Sequence, residues 1–366
     1  MGTLAIRKGW GGGQHQAAPE RGPPFISVII TAYKRREYLK RAVDSVLNQT
    51  LPRDGYEVVV TKNFEFDLDG EWSDLGVKLV FSDKPGFGAM VADALLYCRG
   101  EVVCFLDDDD LWAPHKLEHV SKLFEDNPKL GYCRNSLVQF HGKAPIPDTA
   151  MGDISNQILI NNPKGKRLVD TLPVWNNSSA SIKKNILETW SKYLAKVELA
   201  IDYFLLAAAY MSNARMLFSP PVLTYVRKSE QNTTSLGVRE FNASLSKHVE
   251  VFRRLSNDWA LMEVMCKGTP FEEHCRRTKD YQMLHADIFA GSRNQVARSL
   301  VSVVYDTLLA ARFDGVDRFQ VFKLFLDPSS IFYRGVLSTI APSYIRKLYF
   351  YRSVMSEQKK YKELDK

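Results

Sequence analysis

No stretch of this 366-residue sequence reaches the roughly 18 uncharged apolar residues of a membrane-spanning helix. Mean hydropathy is -0.23, which argues against a multi-span membrane protein. Cysteine is scarce too. The five (Cys98, Cys104, Cys133, Cys266, Cys275) include no C-x-x-C pair and no zinc-type spacing, and their number is odd. Cys104 lies in the apolar run Val102-Val103-Cys104-Phe105, so buried free thiols in a reducing cytosol are expected. Residues 1–24 lack the apolar core of a signal peptide. Their Gly11-Gly12-Gly13, three prolines and scattered charge predict a disordered leader. There is no internal repeat. Hydrophobic content of 45% and charged content of 25% exclude wholesale disorder, collagen-like repeats and coiled coil. At ~100–200 residues per domain the length suits one large domain or two smaller ones. What remains is a basic surplus: 49 Lys+Arg against 42 Asp+Glu, a charge of +7 and a pI near 9.0. It leaves nucleic acid, an anionic membrane surface or phosphorylated substrates open as partners.

Short apolar runs dominate the first third of the chain. Phe25–Ile30 reads as a strand buried on both faces, and the polar stretch Thr31 to Arg36 follows it. Leu39, Ala42, Val43, Val46 and Leu47 recur at helical spacing, with Pro52 closing the helix. Tyr56–Val60, Val77–Phe81 and Glu101–Leu106 read as further strands, and Ala89 to Cys98 as a helix after the turn Pro85-Gly86-Phe87-Gly88. This alternation argues for βαβ units and a parallel sheet covered by helices. Such sheets bind ligands beyond the carboxyl ends of their strands, where the clusters Thr31–Arg36 and Asp107–Asp110 both fall. Residues 239–312 read as mostly helical, and aromatics mix with basic groups from Arg318 onward.

Four consecutive aspartates are costly to crowd together unless a cation neutralises them or water screens them. Mg²⁺ or Mn²⁺ takes oxygen ligands, commonly one or two carboxylates plus phosphate oxygens. Alternate side chains at a strand end point the same way, so Asp107 and Asp109 could converge on one ion. The plain alternative is a solvated acidic turn with Asp110 as helix N-cap. The surrounding string, Gly100-Glu101-Val102-Val103-Cys104-Phe105-Leu106-Asp107-Asp108-Asp109-Asp110-Leu111-Trp112-Ala113-Pro114-His115-Lys116-Leu117, decides against it. It resembles the metal-binding segment of family 2 glycosyltransferases, inverting enzymes of the GT-A fold. Their form is Gly-Glu, an apolar strand, Leu-Asp-x-Asp-Asp, an aromatic, then Pro and Lys-Leu. Ser27 to Arg35 resembles the family's opening strand and nucleotide-binding turn. Ala42 to Thr50 resembles its first helix, ending in Gln-Thr, and Gly88 to Leu95 its glycine-led helix. The resemblance covers roughly residues 25–235. It implies an α/β, GT-A type nucleotide-binding domain with a mostly parallel central sheet over 25–235, followed by a mainly helical C-terminal region over 236–366.

The resemblance further implies a nucleotide-sugar donor lying across the strand ends, its diphosphate held through Mn²⁺ or Mg²⁺. By position Thr31, Ala32, Tyr33 and Arg35 would contact the nucleotide, with Asn63 near the base. Asp107 would face ribose or metal, Asp108 would stand beside it in the donor site, and Asp109 would be the main metal ligand. Inversion requires a general base, and in Glu198-Leu199-Ala200-Ile201-Asp202 the matching acid is Asp202. Asp202 could instead be only an N-cap. Arg227 or Lys228 could clamp the diphosphate or be ordinary exposed charges. Pro173 to Ser179 would form an acceptor wall. The chain departs from the family twice. Thr61-Lys62-Asn63-Phe64-Glu65 replaces Asp-Asp-x-Ser, and no His lies between Val226 and Ser235.

Two readings of the C-terminal aromatic/basic mixture stay open: an interfacial region against anionic lipid, or helices packed on the catalytic core. The expectation is a metal-dependent inverting enzyme, cytoplasmic and peripheral to the cytosolic membrane face. It would move a sugar from a UDP- or GDP-sugar to a glycan or polyprenyl-linked acceptor. A catalytically degenerate nucleotide-sugar binder is the alternative, and a nucleic-acid binder, resting on pI alone, ranks last.

Overall fold

In the computed structural model the described residues are 25–143, 158–161, 176–228, 240–314, 330–348 and 350–352. The leader expected over 1–24, the segments 173–175 and 229–239, and the aromatic/basic stretch 315–329 lie outside them.

The first three strands, β1 (Ile26–Ala32), β2 (Tyr56–Lys62) and β3 (Lys78–Phe81), alternate with the helices α1 (Leu39–Leu47), α2 (Asp69–Asp74) and α3 (Phe87–Leu95). Strand β4 (Val102–Asp107) closes this set, running parallel to β1, as β1 does to β2 and β2 to β3. The apolar runs are continuous because both faces are covered. Ile26, Val28, Ile30, Val58, Val60, Val102, Cys104 and Leu106 pack on one side. Ile29, Val59, Val103 and Phe105 pack on the other. The first side meets the buried stripe of α1, Leu39, Ala42, Val43 and Val46, together with α4 (Lys116–Asp126).

The sheet then changes hand. Beyond β4 lie β8 (Ala180–Lys183), antiparallel to it, then β6 (Leu130–Phe140) and β9 (Arg215–Arg227), with β5 (Leu111–Trp112) and β7 (Ile158–Ile160) antiparallel to β9. From these pairings, six strands of the nine-stranded sheet share one direction and three oppose it, so the sheet is mostly parallel as expected. Element bounds shift by one to three residues. Helix α1 ends at Leu47, capped by Asn48, well before Pro52, and α3 starts at Phe87 and stops at Leu95.

Two short helices, α5 (Lys184–Thr189) and α6 (Ser191–Leu194), lead to α7 (Ile201–Met211), which lies almost wholly in the core. The helical expectation for 239–312 is met by α8 (Phe241–Met265), α9 (Pro270–Ala290) and α10 (Arg293–Asp314), with α11 (Ile331–Ile340) beyond. Trp259, Met262, Met265, Cys266, Phe271 and Cys275 from α8 and α9 share one core with α7 and the sheet. All five cysteines are free and buried, as expected. Among the described residues no helix is long and apolar enough to cross a membrane.

Candidate active site

Strand β4 ends at Asp107, and the chain turns at once, with Asp110 N–H donating to the Asp107 carbonyl at 3.2 Å. Strand alternation does not bring Asp109 near Asp107; this turn does, and it presents all four aspartates to one cleft of about 190 Å³. The solvated-cap alternative fails on burial and position. Asp108, Asp109 and Asp110 are buried, and α4 begins six residues after Asp110 without a side-chain cap. Asp110 instead holds the loop together. It accepts Ser178 Oγ at 2.7 Å, Asn176 Nδ2 at 3.3 Å and the Arg227 backbone N–H at 2.9 Å.

The 3-10 turn Asn177–Ser179 supports the same loop. Asn177 Nδ2 donates to Asp107 Oδ1 at 2.8 Å, and Asp107 N–H donates to Ser178 Oγ at 3.0 Å. Behind it sits the fully buried Lys116. Its Nζ reaches Ser178 O at 2.7 Å, Asn135 Oδ1 at 2.8 Å and Thr224 Oγ1 at 3.1 Å, three acceptors for the three N–H bonds of an ammonium. Gln49, from the Gln-Thr end of α1, ties on the following segment. It donates to Ala113 O and accepts Leu117 N–H, each at 2.9 Å. The residues of the Gln-Thr and Lys-Leu motifs thus act as struts around the acidic turn.

Crowded carboxylates in a dry site hold their protons more tightly. Burial, then the charge of Asp109, pushes Asp107 up to about 7, and burial pushes Asp108 up to about 6 against the pull of Arg35. Burial raises Asp109 as well, and Asp110 is raised by burial and by Asp109 and Asp107. The side chain answering this charge is Arg35, from the turn after β1. It forms a bidentate pair with Asp108, Nε to Oδ1 at 3.2 Å, and its Nη1 lies 2.8 Å from Asp109 Oδ2. Burial works against the Arg35 charge, yet Asp108 and Asp109 hold its pKa above the ordinary value. The donor set, hard carboxylate oxygens with their charge only partly matched by guanidinium, suits a divalent cation.

Asp202 lines the same cleft. It is the second residue of α7, whose N-cap is Ala200, so the cap reading of Asp202 does not hold. Its Oδ1 accepts Tyr203 N–H at 2.9 Å, and burial pushes its pKa up to about 6. Arg227, also lining the cleft, is no exposed charge. It is 3% exposed, its Nε donates to Asp109 O at 3.2 Å, and its guanidinium stacks on Tyr38 and Phe140. Lys228 lines the same cleft.

Tyr33 and Arg35 reach an adjoining cavity of about 510 Å³, lined also by Pro85, Gly86, Phe87 and Met90 and by Glu250 and Arg254 of α8. Thr31, Ala32 and Asn63 line neither cavity. Thr31 and Ala32 are buried at the end of β1, and Asn63 Oδ1 accepts the Lys34 N–H at 2.8 Å. Sequence reasoning gave no role to Lys116 or the α8 residues. Lys116 was in plain view inside the motif, whereas nothing local marks residues 250–258 as neighbours of residue 202.

The model of glycosyl transferase family 2 matches residues 27–171. An uncharacterized glycosyltransferase of Nostoc sp. (strain PCC 7120) is 34% identical over 113 residues, 29% of this chain and 34% of that protein. The UDP-Glc:alpha-D-GlcNAc-diphosphoundecaprenol beta-1,3-glucosyltransferase WfgD of Escherichia coli is 29% identical over 120 residues, 31% of this chain and 47% of that one. The matches thus span between a third and a half of these relatives' own length. In fold, the crystal structure of S. aureus TarS 1-349 superposes with a TM-score of 0.53 at 17% identity, covering 91% of each chain, and that protein has also been solved in complex with UDP-GlcNAc. The acidic turn lies within residues 27–171, the stretch of this chain that is similar to glycosyl transferase family 2.

Proposed function

We propose that the protein is a metal-dependent inverting glycosyltransferase that moves a sugar from a UDP- or GDP-sugar to a glycan or polyprenyl-linked acceptor. The observation that carries this reading is that one cleft is lined by two kinds of acid: Asp107–Asp109 at the end of β4 and Asp202 at the start of α7. Asp107 and Asp109 would hold Mn²⁺ or Mg²⁺, which when bound neutralises the departing nucleoside diphosphate and fixes its orientation. Arg35, now paired with Asp108 and Asp109, would turn its guanidinium toward the diphosphate, and Arg227 and Lys228 would add positive charge on the same side. Tyr33 would pack on the nucleoside in the adjoining cavity.

Asp202 would take the proton of the acceptor hydroxyl as its oxygen attacks the anomeric carbon from the side opposite the nucleotide. A base with a pKa of about 6 is mostly ionised at neutral pH, yet more basic than an ordinary carboxylate, which suits this task. The polyprenyl-linked acceptor and a peripheral contact with membrane draw support from the exposed apolar residues Val301, Tyr305, Ile340 and Tyr344 on the C-terminal helices. WfgD, whose printed name specifies a diphosphoundecaprenol acceptor, points the same way.

The first experiment is a thermal-shift screen of UDP-glucose, UDP-GlcNAc and GDP-mannose with and without Mn²⁺, since a bound donor raises apparent stability by mass action. Asp109→Ala and Asp202→Ala should then each abolish transfer, the first with weakened Mn²⁺-dependent donor binding. Full activity in either variant refutes the assigned roles. Binding with no turnover in the wild type would leave a noncatalytic nucleotide-sugar binder.

A further inference from the structure

Helix α8 never enters the cleft that holds Asp202, yet it grips the segment that carries it. Asp258 of α8 is 1% exposed, and its carboxylate caps three consecutive backbone amides. Oδ1 accepts Glu198 N–H at 2.7 Å, and Oδ2 accepts Leu199 N–H at 2.7 Å and Ala200 N–H at 2.8 Å. Ile201 and Asp202 follow directly as the first two residues of α7. The neighbours of Asp258 reinforce the hold. The Trp259 ring lies 4.8 Å from that of Tyr203, and Arg254 Nε pairs with Glu198 Oε2 at 2.7 Å. On the far side the same segment gives its carbonyls to α3: Glu198 O accepts Phe87 N–H at 3.3 Å and Val197 O accepts Gly88 N–H at 3.0 Å. Residues 197–200 are therefore held from both sides, amides to α8 and carbonyls to α3.

A buried carboxylate is expensive unless its oxygens are satisfied. Here the donors that satisfy it are the free amides of the turn leading into α7, which otherwise has no side-chain cap. These bonds run from the N–H groups of residues 198–200 to the carboxylate of residue 258, so they hold the approach to the first turn of α7.

We propose that Asp258 is a positioning residue for Asp202, so that the C-terminal helices complete the active site. This rests on the reading of Asp202 as general base. Asp258→Asn keeps the shape but turns an amide NH₂ toward backbone N–H groups, so at least one of the three amides loses its acceptor. A misplacement of about 1 Å costs on the order of 100-fold in rate.

The test uses the full chain with Mn²⁺ and whichever of UDP-glucose, UDP-GlcNAc and GDP-mannose the wild type hydrolyses fastest. Nucleotide release and the affinity for the matching nucleoside diphosphate are both measured. Asp258→Asn should lower kcat by about 100-fold while leaving that affinity within about threefold, because Asp107 and Asp109 stand at the end of β4 and in the turn after it, which Asp258 does not hold. In an Asp202→Asn background the same change should have no further effect on kcat. Asp258→Glu, which keeps the charge one methylene further out, should give an intermediate kcat with the same affinity, and it carries the test should the asparagine variant not fold. A normal kcat in Asp258→Asn, or an equal loss with and without Asp202, overturns the positioning role while the base reading stands. An active Asp202→Asn, or a wild type that turns over none of the donors, removes the base reading and this inference with it.

Discussion

Gly88 offers a measure of how tightly the segment before Asp202 is held. It is the second residue of α3, and a Cβ built there would lie 2.0 Å from Leu194 O, 2.8 Å from Val197 Cβ and 2.9 Å from Val197 O. Two of these atoms are backbone, so no side chain can swing aside. For Gly88→Ala to reach even the tightest contact real Cβ atoms show, the two segments must part by about 1 Å. Overpacking of this kind costs about 1–3 kcal/mol, a fall of roughly 2–6 °C in melting temperature at about 2 °C per kcal/mol for a large chain. The Gly88 N–H to Val197 O bond of 3.0 Å stretches with it, and the displaced segment is the one that runs into Asp202. Turnover should fall by on the order of 100-fold, as expected for a misplacement of about 1 Å. Gly70→Ala is the control. Gly70 lies in α2 with nothing within 4 Å of its Cβ position, so alanine there should stabilise by about 0.5–1 kcal/mol through helix propensity alone. Thermal melts and steady-state nucleotide release on the two variants decide the matter. Gly88→Ala melting with the wild type and turning over at its rate would show that α3 and the 194–197 segment do not meet this closely.

Other outcomes follow from the same geometry. Because the base must be ionised, kcat/KM should fall as pH drops through about 6, and Asp202→Asn should lower kcat about 10²–10⁴-fold. Glu57, at the opposite end of the strands, accepts Ser27 Oγ at 2.7 Å and pairs with Lys78 and Arg99. Burial would raise its carboxyl, but these partners win and hold it at about 2, below its ordinary 4.5. Its contribution to stability is therefore present above pH 4.5 and lost between 4.5 and about 2, and Glu57→Gln should flatten the acid limb of a stability-versus-pH curve in that window. Lys116→Met takes its donor from Asn135 Oδ1 in the core and one donor each from Ser178 O and Thr224 Oγ1, which Trp112 Nε1 and Asn135 Nδ2 still serve. A loss of about 1–3 kcal/mol in denaturant unfolding is expected, and wild-type stability would mean that water replaces the ammonium.

Sequence alone determined the parallel half of the sheet, because a strand buried on both faces is nearly continuously apolar, and Phe25–Ile30, Tyr56–Val60 and Glu101–Leu106 announce themselves that way. The acidic turn was legible through its flanking residues, which carry a family resemblance; four adjacent aspartates alone suit a solvated turn as well. Tertiary structure decided the rest. The side chain that meets the charge of Asp108 and Asp109 is Arg35, a partner more than 70 residues away in the chain. Asp110 proved to be a strut for Arg227, Ser178 and Asn176 rather than a helix cap. Asn63 turned its carbonyl to Lys34 N–H. Asp258, inside an ordinary amphipathic helix, gave no local sign of its place. Local sequence records which groups must be buried or solvated, but the pairing of a buried charge is settled by whatever the fold brings within hydrogen-bond reach. In this protein that reach joins residue 258 to the segment before residue 202, and so joins the C-terminal helices to the cleft.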